Sequence, residues 1–284
     1  MTTSEHHWTW EEAVESLRSC PEKEKLVRDC YYDDPVASAA HRYWQSDEWC
    51  SIREFLPKVR GKALDVGAGR GIASYALARE GFDVTALEPD PSSIVGAAAI
   101  KELAENTGIS IEITEEFSEK LPFEDKSFDL VFARAVLHHT QDLEEACREF
   151  LRVLKPGGIF IGVREHVISK PSDLKEFFTL HPLHSLYGGE NAFLLKRYVE
   201  AIIDAGFDNL KTISPWRSAM NYAPHTANSL KRELAFKIAR GSLKASLLVR
   251  LVLDLPGVWR IVRLLLEKID NRPGRLYSFV AERK

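Results

Sequence analysis

Lys62 to Leu77, KALDVGAGRGIASYAL, decides the fold. An apolar run of β character ends in Asp65, gives way to Gly67-Ala68-Gly69-Arg70-Gly71, and resumes with helical spacing at Ile72, Tyr75 and Ala76. The pattern predicts a strand, a glycine turn and the start of a helix. Glycine suits such a turn because some positions require positive φ, and because a missing Cβ lets a ligand lie on the main chain. The helix N-terminus then offers free N–H groups to an electron-rich ligand. Nucleotide, flavin and nicotinamide proteins use relatives of this turn, so the spacing must discriminate. Here the glycines read GxGxG rather than GxGxxG, and a carboxylate, Asp65, stands two positions before the first. An anion there opposes a pyrophosphate and favours a cationic amino-acid group.

Outward from this turn the chain alternates strand and helix. The second strand, Asp83–Leu87, ends at Glu88 and is stopped by Pro89-Asp90-Pro91. A carboxylate at that strand end can accept both hydroxyls of a ribose, a role shared with nicotinamide enzymes. Further strands are expected at Ser110–Thr114, Ser127–Ala133 and Ile159–Val163, with helices over 92–106 and 142–154. A helix over 194–205, a sixth strand at Leu210–Ser214 and a last strand at Leu276–Ala281 complete the pattern. The expected architecture is α/β: a doubly wound, seven-stranded, mostly parallel sheet closed by an antiparallel pair.

Two stretches, the KALDVGAGRG turn and LPFEDKSFDLVFARAVLHH followed by REFLRVLKPGG, lie in the same order as in a known family. Over roughly residues 60–165 the chain resembles the class I S-adenosylmethionine-dependent methyltransferases of the type 11 kind, with their Rossmann-like fold. The resemblance implies S-adenosylmethionine as cofactor, whose sulfonium and α-amino group suit Asp65. It implies cofactor contacts from Asp65, Gly67, Ala68, Gly69, Gly71, Glu88 and Pro89, and from Arg134 and His139 beyond the fourth strand. Family members often carry an Asp that reads the adenine amino group; here Phe117 occupies that position beside Ser118. Stacking on Phe117 and hydrogen bonds from Ser118 are the expected substitutes. A nicotinamide oxidoreductase finds no Tyr-x-x-x-Lys pair, and a non-catalytic cofactor-binding sensor or scaffold is the competing reading.

The acceptor side should lie beyond the strands' carboxyl ends. After the fifth strand come Arg164-Glu165-His166-Val167-Ile168-Ser169, a helix over 171–180, and His181 to Asn191, HPLHSLYGGEN. These read as two polar loops around a short helix. His166 or His184 is the expected base, oriented by Glu165 or Glu190, with His139 a further candidate. Arg164, Tyr187 and Asn191 are expected to hold the acceptor, together with Tyr31 and Tyr32 at a Pro-marked turn of an N-terminal helical lid. Each of these side chains could instead satisfy its own loop, and His138 and His139 could simply pack. A zinc set of His181, His184 and Glu190 fits no metal-ligand spacing, so metal-independent transfer is expected. The segment REHVIS to DAGF also resembles a bacterial branch associated with cell-surface glycan or natural-product pathways. That resemblance implies a small polar, sugar or glycan-type acceptor bearing a hydroxyl.

Composition sets the outer bounds. The chain has 284 residues, 45% hydrophobic, with net charge −4. A chain of this kind can bury a large core and gives no general electrostatic case for nucleic acid. Cys20, Cys30, Cys50 and Cys147 form no CxxC pair, and reduced thiols are expected. The acidic N-terminus, MTTSEHHWTWEEAVE, lacks the apolar stretch of a secretory leader, which points to a cytoplasmic protein. The expected organisation is a helical lid over 1–57, a core over 58–225 and 273–284, and a helical insertion over 226–272. Within 231–272, ten Lys and Arg face four Asp and Glu, a local net charge of +6. This segment reads as a helical cap, with a dimer interface or a peripheral membrane contact as the other two options. The sequence sets no oligomeric state.

Overall fold

Asp65 is the next-to-last residue of an interior strand, Lys62–Val66, of an eight-stranded sheet. The computed structural model describes residues 8–284; residues 1–7, the head of the stretch read as leader-free, lie outside the described residues. The strands are β1 (Lys62–Val66), β2 (Asp83–Leu87), β3 (Ile111–Thr114), β4 (Phe128–Arg134), β5 (Leu154–Ile168), β6 (Phe193–Leu194), β7 (Asp208–Ile213) and β8 (Arg275–Glu282). Their order is β3-β2-β1-β4-β5-β8-β7, with β6 beside β5. β1 to β5 run parallel, and β8 runs antiparallel between β5 and β7. The chain therefore leaves β1 in both directions, and this switch point opens a crevice at the strands' carboxyl ends. The eighth strand, beyond the seven expected, is the two-residue β6.

Ala63, Leu64 and Val66 of β1 are fully buried because helices cover both faces. On one face, Tyr43, Trp49 and Ile52 of the N-terminal helices pack with Leu77, Phe132 and Ile161. On the other, Phe150 of the helix Leu143–Val153 and Tyr198 of Leu195–Ala205 pack with Phe160 and Phe279. Truncating one such ring to Ala costs about 3–5 kcal/mol. The N-terminal helix Trp10–Arg18 starts with a reciprocal capping box between Thr9 and Glu12. Residues 36–53 form two helices, Val36–Trp44 and Asp47–Arg53, because Ser46 accepts the Trp49 amide on its hydroxyl and caps the second.

β5 corrects the reading of the acceptor side. It continues for 15 residues, so Arg164, Glu165 and His166 stand on a strand rather than in a loop. Arg164 adopts φ 65° at a bulge, and the register against β8 resumes with Glu165 opposite Tyr277 and His166 opposite Leu276. The partner strand supplies the ladder bonds that a polar run lacks on its own.

Between β7 and β8 lie the helices Ala227–Ile238, Leu243–Leu253 and Val258–Ile269. Among the described residues no helix is long and apolar enough to cross a membrane.

Candidate active site

A cavity of about 540 Å³ lies at the crevice predicted by the switch point. One end is the glycine turn. Gly67 and Gly69 hold φ 59° and 54°, values that side chains adopt with strain. A Cβ on Gly67 would lie 2.7 Å from Val136 Cγ2, whereas one on Gly69 would meet nothing nearer than 3.7 Å. Gly67 therefore admits close packing, and Gly69 supplies only the backbone angle. Gly71 faces Ile100 and Leu103 and lies outside the cavity lining, where it lets the helix Ala97–Thr107 approach.

Asp65 is buried, with the Ser74 hydroxyl donating to it at 2.6 Å. Burial pushes its carboxyl up to about 7, against the pull of the Ser74 hydrogen bond and with the help of nearby Glu88. Among the described residues no Lys or Arg forms an ion pair with it. Glu88 accepts the Gly69 amide at 2.6 Å and the Asp90 amide at 3.0 Å, one on each oxygen. Each oxygen keeps a second lone pair for a hydroxyl. Ala68, Pro89, Phe117 and Ser118 line the same end, and Phe117 is largely exposed at the mouth.

The arginines of the site are committed to holding the N-terminal segment. Arg134 pairs with Glu48 through both prongs, and Arg164 reaches Glu48 at 3.5 Å while donating to the Ala223 carbonyl at 2.9 Å. Arg70, in the glycine turn, donates to the carbonyls of Tyr31 (3.2 Å) and Asp33 (3.1 Å) and pairs with Asp34. Tyr31 and Tyr32 line the cavity as a result, and Trp10 packs against Tyr32 and Tyr187 at its edge.

The opposite wall is polar. His138, His139, His166, His181 and Glu190 all line it. Glu165 does not: it is buried behind the wall, accepting the amides of Val136 and His138 at 3.1 Å each and the His138 Nδ1–H at 2.6 Å. Burial pushes its carboxyl up to about 7 against these bonds. Glu165 therefore orients His138 rather than the expected His166 or His184. His166 instead donates Nδ1–H to the Gly274 carbonyl at 2.9 Å. Burial holds His138 and His166 well below the usual imidazole range, and His181 at about 4. Glu190 accepts the Tyr187 hydroxyl at 2.6 Å. His184 stacks flat on Phe178 at 3.9 Å, outside the lining, and the Asn191 side chain turns onto the Ala192 amide. Sequence patterns mark neither Glu48 nor Arg70 for the site and leave His138, like His139, between a base and a packing residue. The adjacent HH pair was the one local signal for His138.

The family described as a methyltransferase domain matches residues 64–162. These residues are similar to a methyltransferase domain, and the sheet that carries them has the Rossmann-like α/β methyltransferase fold. The chain is similar to the demethylmenaquinone methyltransferase of Chlorobaculum tepidum, 32% identical over 141 residues, which are 49% of this chain and 55% of the relative. It is similar as well to the ubiquinone/menaquinone biosynthesis C-methyltransferase UbiE of Bartonella henselae, 31% identical over 172 residues, 56% of this chain and 63% of the relative. The chain thus spans less than two thirds of either relative. Among solved structures, the cyclase SpnF shares the fold with a TM-score of 0.54 at 22% identity, covering 83% of this chain and 80% of that one.

Proposed function

We propose that this protein transfers a methyl group from S-adenosylmethionine to a hydroxyl of a small polar, sugar or glycan-type acceptor. The observation that carries the reading is one cavity with a buried carboxylate and glycine turn at one end and a histidine–glutamate wall at the other. Bound there, the cofactor supplies an electrophilic methyl on a sulfonium. Asp65 would hold its α-amino group, Glu88 its ribose hydroxyls, and Phe117 with Ser118 its adenine. Tyr31 and Tyr32, tied down through Arg70, exclude water from that end. The polar wall takes the proton that a hydroxyl must lose, and Trp10, Tyr32 and Tyr187 offer ring faces to the apolar side of a sugar. In-line displacement asks little more of the protein than this alignment.

The test is an assay with methyl-labelled S-adenosylmethionine across sugar and glycan hydroxyl acceptors. Labelled ether and S-adenosylhomocysteine in equal amounts are expected. Cofactor bound but never consumed would favour the sensor reading. Acceptor converted without label uptake would point to other chemistry, since the fold also houses a cyclase.

A further inference from the structure

Three imidazoles surround one carboxylate oxygen, and a fourth stands beside them. Glu190 Oε2 lies 3.7 Å from His138 Nε2, 3.8 Å from His139 Nε2 and 3.7 Å from His181 Nε2. His166 forms a second group with His181 and Glu190, their donor atoms all within 4.8 Å. These separations are too long for hydrogen bonds. The outer ring atoms fix the tautomers. His139 Nδ1 faces the Gly189 carbonyl at 3.1 Å and His166 Nδ1 the Gly274 carbonyl at 2.9 Å. A carbonyl only accepts, so both Nδ1 atoms carry the hydrogen and both Nε2 atoms present lone pairs. Glu165, already accepting two amides, takes the Nδ1–H of His138 in the same way. Tyr187 occupies Glu190 Oε1, which leaves Oε2 facing the rings. His181 alone lacks an outer anchor, its Nδ1 buried and unpartnered.

Acceptors thus converge on acceptors, an arrangement that a cation resolves. Ligand atoms about 2.1 Å from a tetrahedral zinc ion stand about 3.4 Å apart, and the three histidine-to-Glu190 separations of 3.7 to 3.8 Å are a few tenths longer. Anchoring the second ring nitrogen on a carbonyl or carboxylate is how proteins orient metal-binding histidines. We infer that Glu190 with the His166–His181 pair, and with the His138–His139 pair beside it, binds a divalent first-row transition metal ion of the zinc or iron(II) class. This replaces the expectation of a metal-free site. The ligands come from the turn after β4, from β5 and from the 181–190 segment, so no spacing in the sequence displays them. The ion-binding inference stands on this geometry alone. A role for the ion in polarising the acceptor hydroxyl, and so easing its proton loss, rests on the methyl-transfer reading.

The experiment uses the full chain, stripped with chelator, reloaded with Zn²⁺ or Fe²⁺ and measured by mass-spectrometric metal analysis. Co²⁺ titration with its visible spectrum is the second readout. One ion per chain is expected in wild type and in His184→Ala, with at least a hundredfold weaker uptake in Glu190→Gln and His181→Ala. S-adenosylhomocysteine titration of the same variants shows whether the neighbouring end is intact. Wild type that takes up only traces, or Glu190→Gln that takes up as much as wild type, overturns the site. Ion uptake without S-adenosylhomocysteine binding would sink the methyl-transfer reading and leave the metal site standing.

A separate observation concerns the insertion. Leu243, Leu247, Leu248, Leu251, Val252 and Leu255 share one exposed face of the helix Leu243–Leu253 and its end, and Ile261, Leu264, Leu265 and Ile269 do so on Val258–Ile269. Arg240, Lys244, Arg260 and Lys268 flank them, exposed and without an ion-pair partner among the described residues. Pairing two copies through this face would bring two segments of net charge +6 together, at a Coulombic cost. An anionic lipid surface instead satisfies both the leucines and the flanking cations. We propose that this face is a peripheral membrane contact. Co-flotation with vesicles of phosphatidylcholine containing phosphatidylglycerol is expected at low salt, and is lost with pure phosphatidylcholine and in Leu247→Glu/Leu251→Glu. The variant should keep the wild-type circular dichroism and melting. Absence of flotation, or a concentration-dependent dimer in sedimentation that the same variant dissolves, overturns it.

Discussion

Glu48 and Arg134 form a two-pronged ion pair, Nε to Oε1 at 2.7 Å and Nη2 to Oε2 at 3.2 Å, between an N-terminal helix and the end of β4. The guanidinium also lies over the rings of Tyr31 and Tyr43. Burial alone would push the Glu48 carboxyl up, but Arg134 and Arg164 outweigh it and hold the group below the usual range. Glu48→Ala strands two guanidiniums and should cost about 3–5 kcal/mol in urea unfolding. Because the folded carboxyl titrates low, its stabilisation is present above the ordinary carboxylate range and disappears as pH falls through its folded value. The variant should lack that acid-side loss.

Arg70 couples the glycine turn to the turn carrying Tyr31 and Asp33. Arg70→Ala should weaken S-adenosylhomocysteine binding by about tenfold, the scale of one or two charged hydrogen bonds. Limited proteolysis between the first and third helices should accelerate in parallel. Equal cleavage and equal affinity would show that the segment is held elsewhere.

Asp65 makes cofactor affinity pH-dependent. Its carboxyl sits at about 7 in the ligand-free fold. The raised value means that the free protein loses stability as pH rises from the ordinary carboxylate range to about 7. A cationic amine binds the ionised form, so affinity should climb by up to about tenfold per unit below pH 7 and level off above it. Calorimetry from about pH 5.5 to 8 tests this, and Asp65→Asn should give a weak, flat profile.

Gly67 and Gly69 separate strain from contact. Gly67→Ala meets both an unfavourable φ and Val136, and should destabilise by more than the roughly 1–3 kcal/mol of backbone strain. Gly69→Ala meets the φ alone and should fall within that range. Thermal melts of the two variants decide the order.

The parts of the account that were legible from sequence are those made by neighbours in the chain. Asp65, the glycine turn and Glu88 lie within single strand-to-turn units, where periodicity and glycine spacing report directly on geometry. Arg164, Glu165 and His166 were misplaced because polar residues on a strand look like a loop until their partner strand is known, and β8 arrives from more than a hundred residues away. The convergence of His138, His139 and His181 on Glu190 depends on how separate segments fold over the sheet, which no local pattern encodes. Arg134 and Arg164 face the cavity as expected, yet their partner Glu48 sits in a helix that reads as ordinary packing.

Calorimetric titration of wild type and Asp65→Ala with S-adenosylmethionine, S-adenosylhomocysteine and NAD tests the central claim most directly. Saturable binding of the first two, sharply weakened in Asp65→Ala, and no heat with NAD are expected. Binding of NAD alone, or of none of the three, would contradict it.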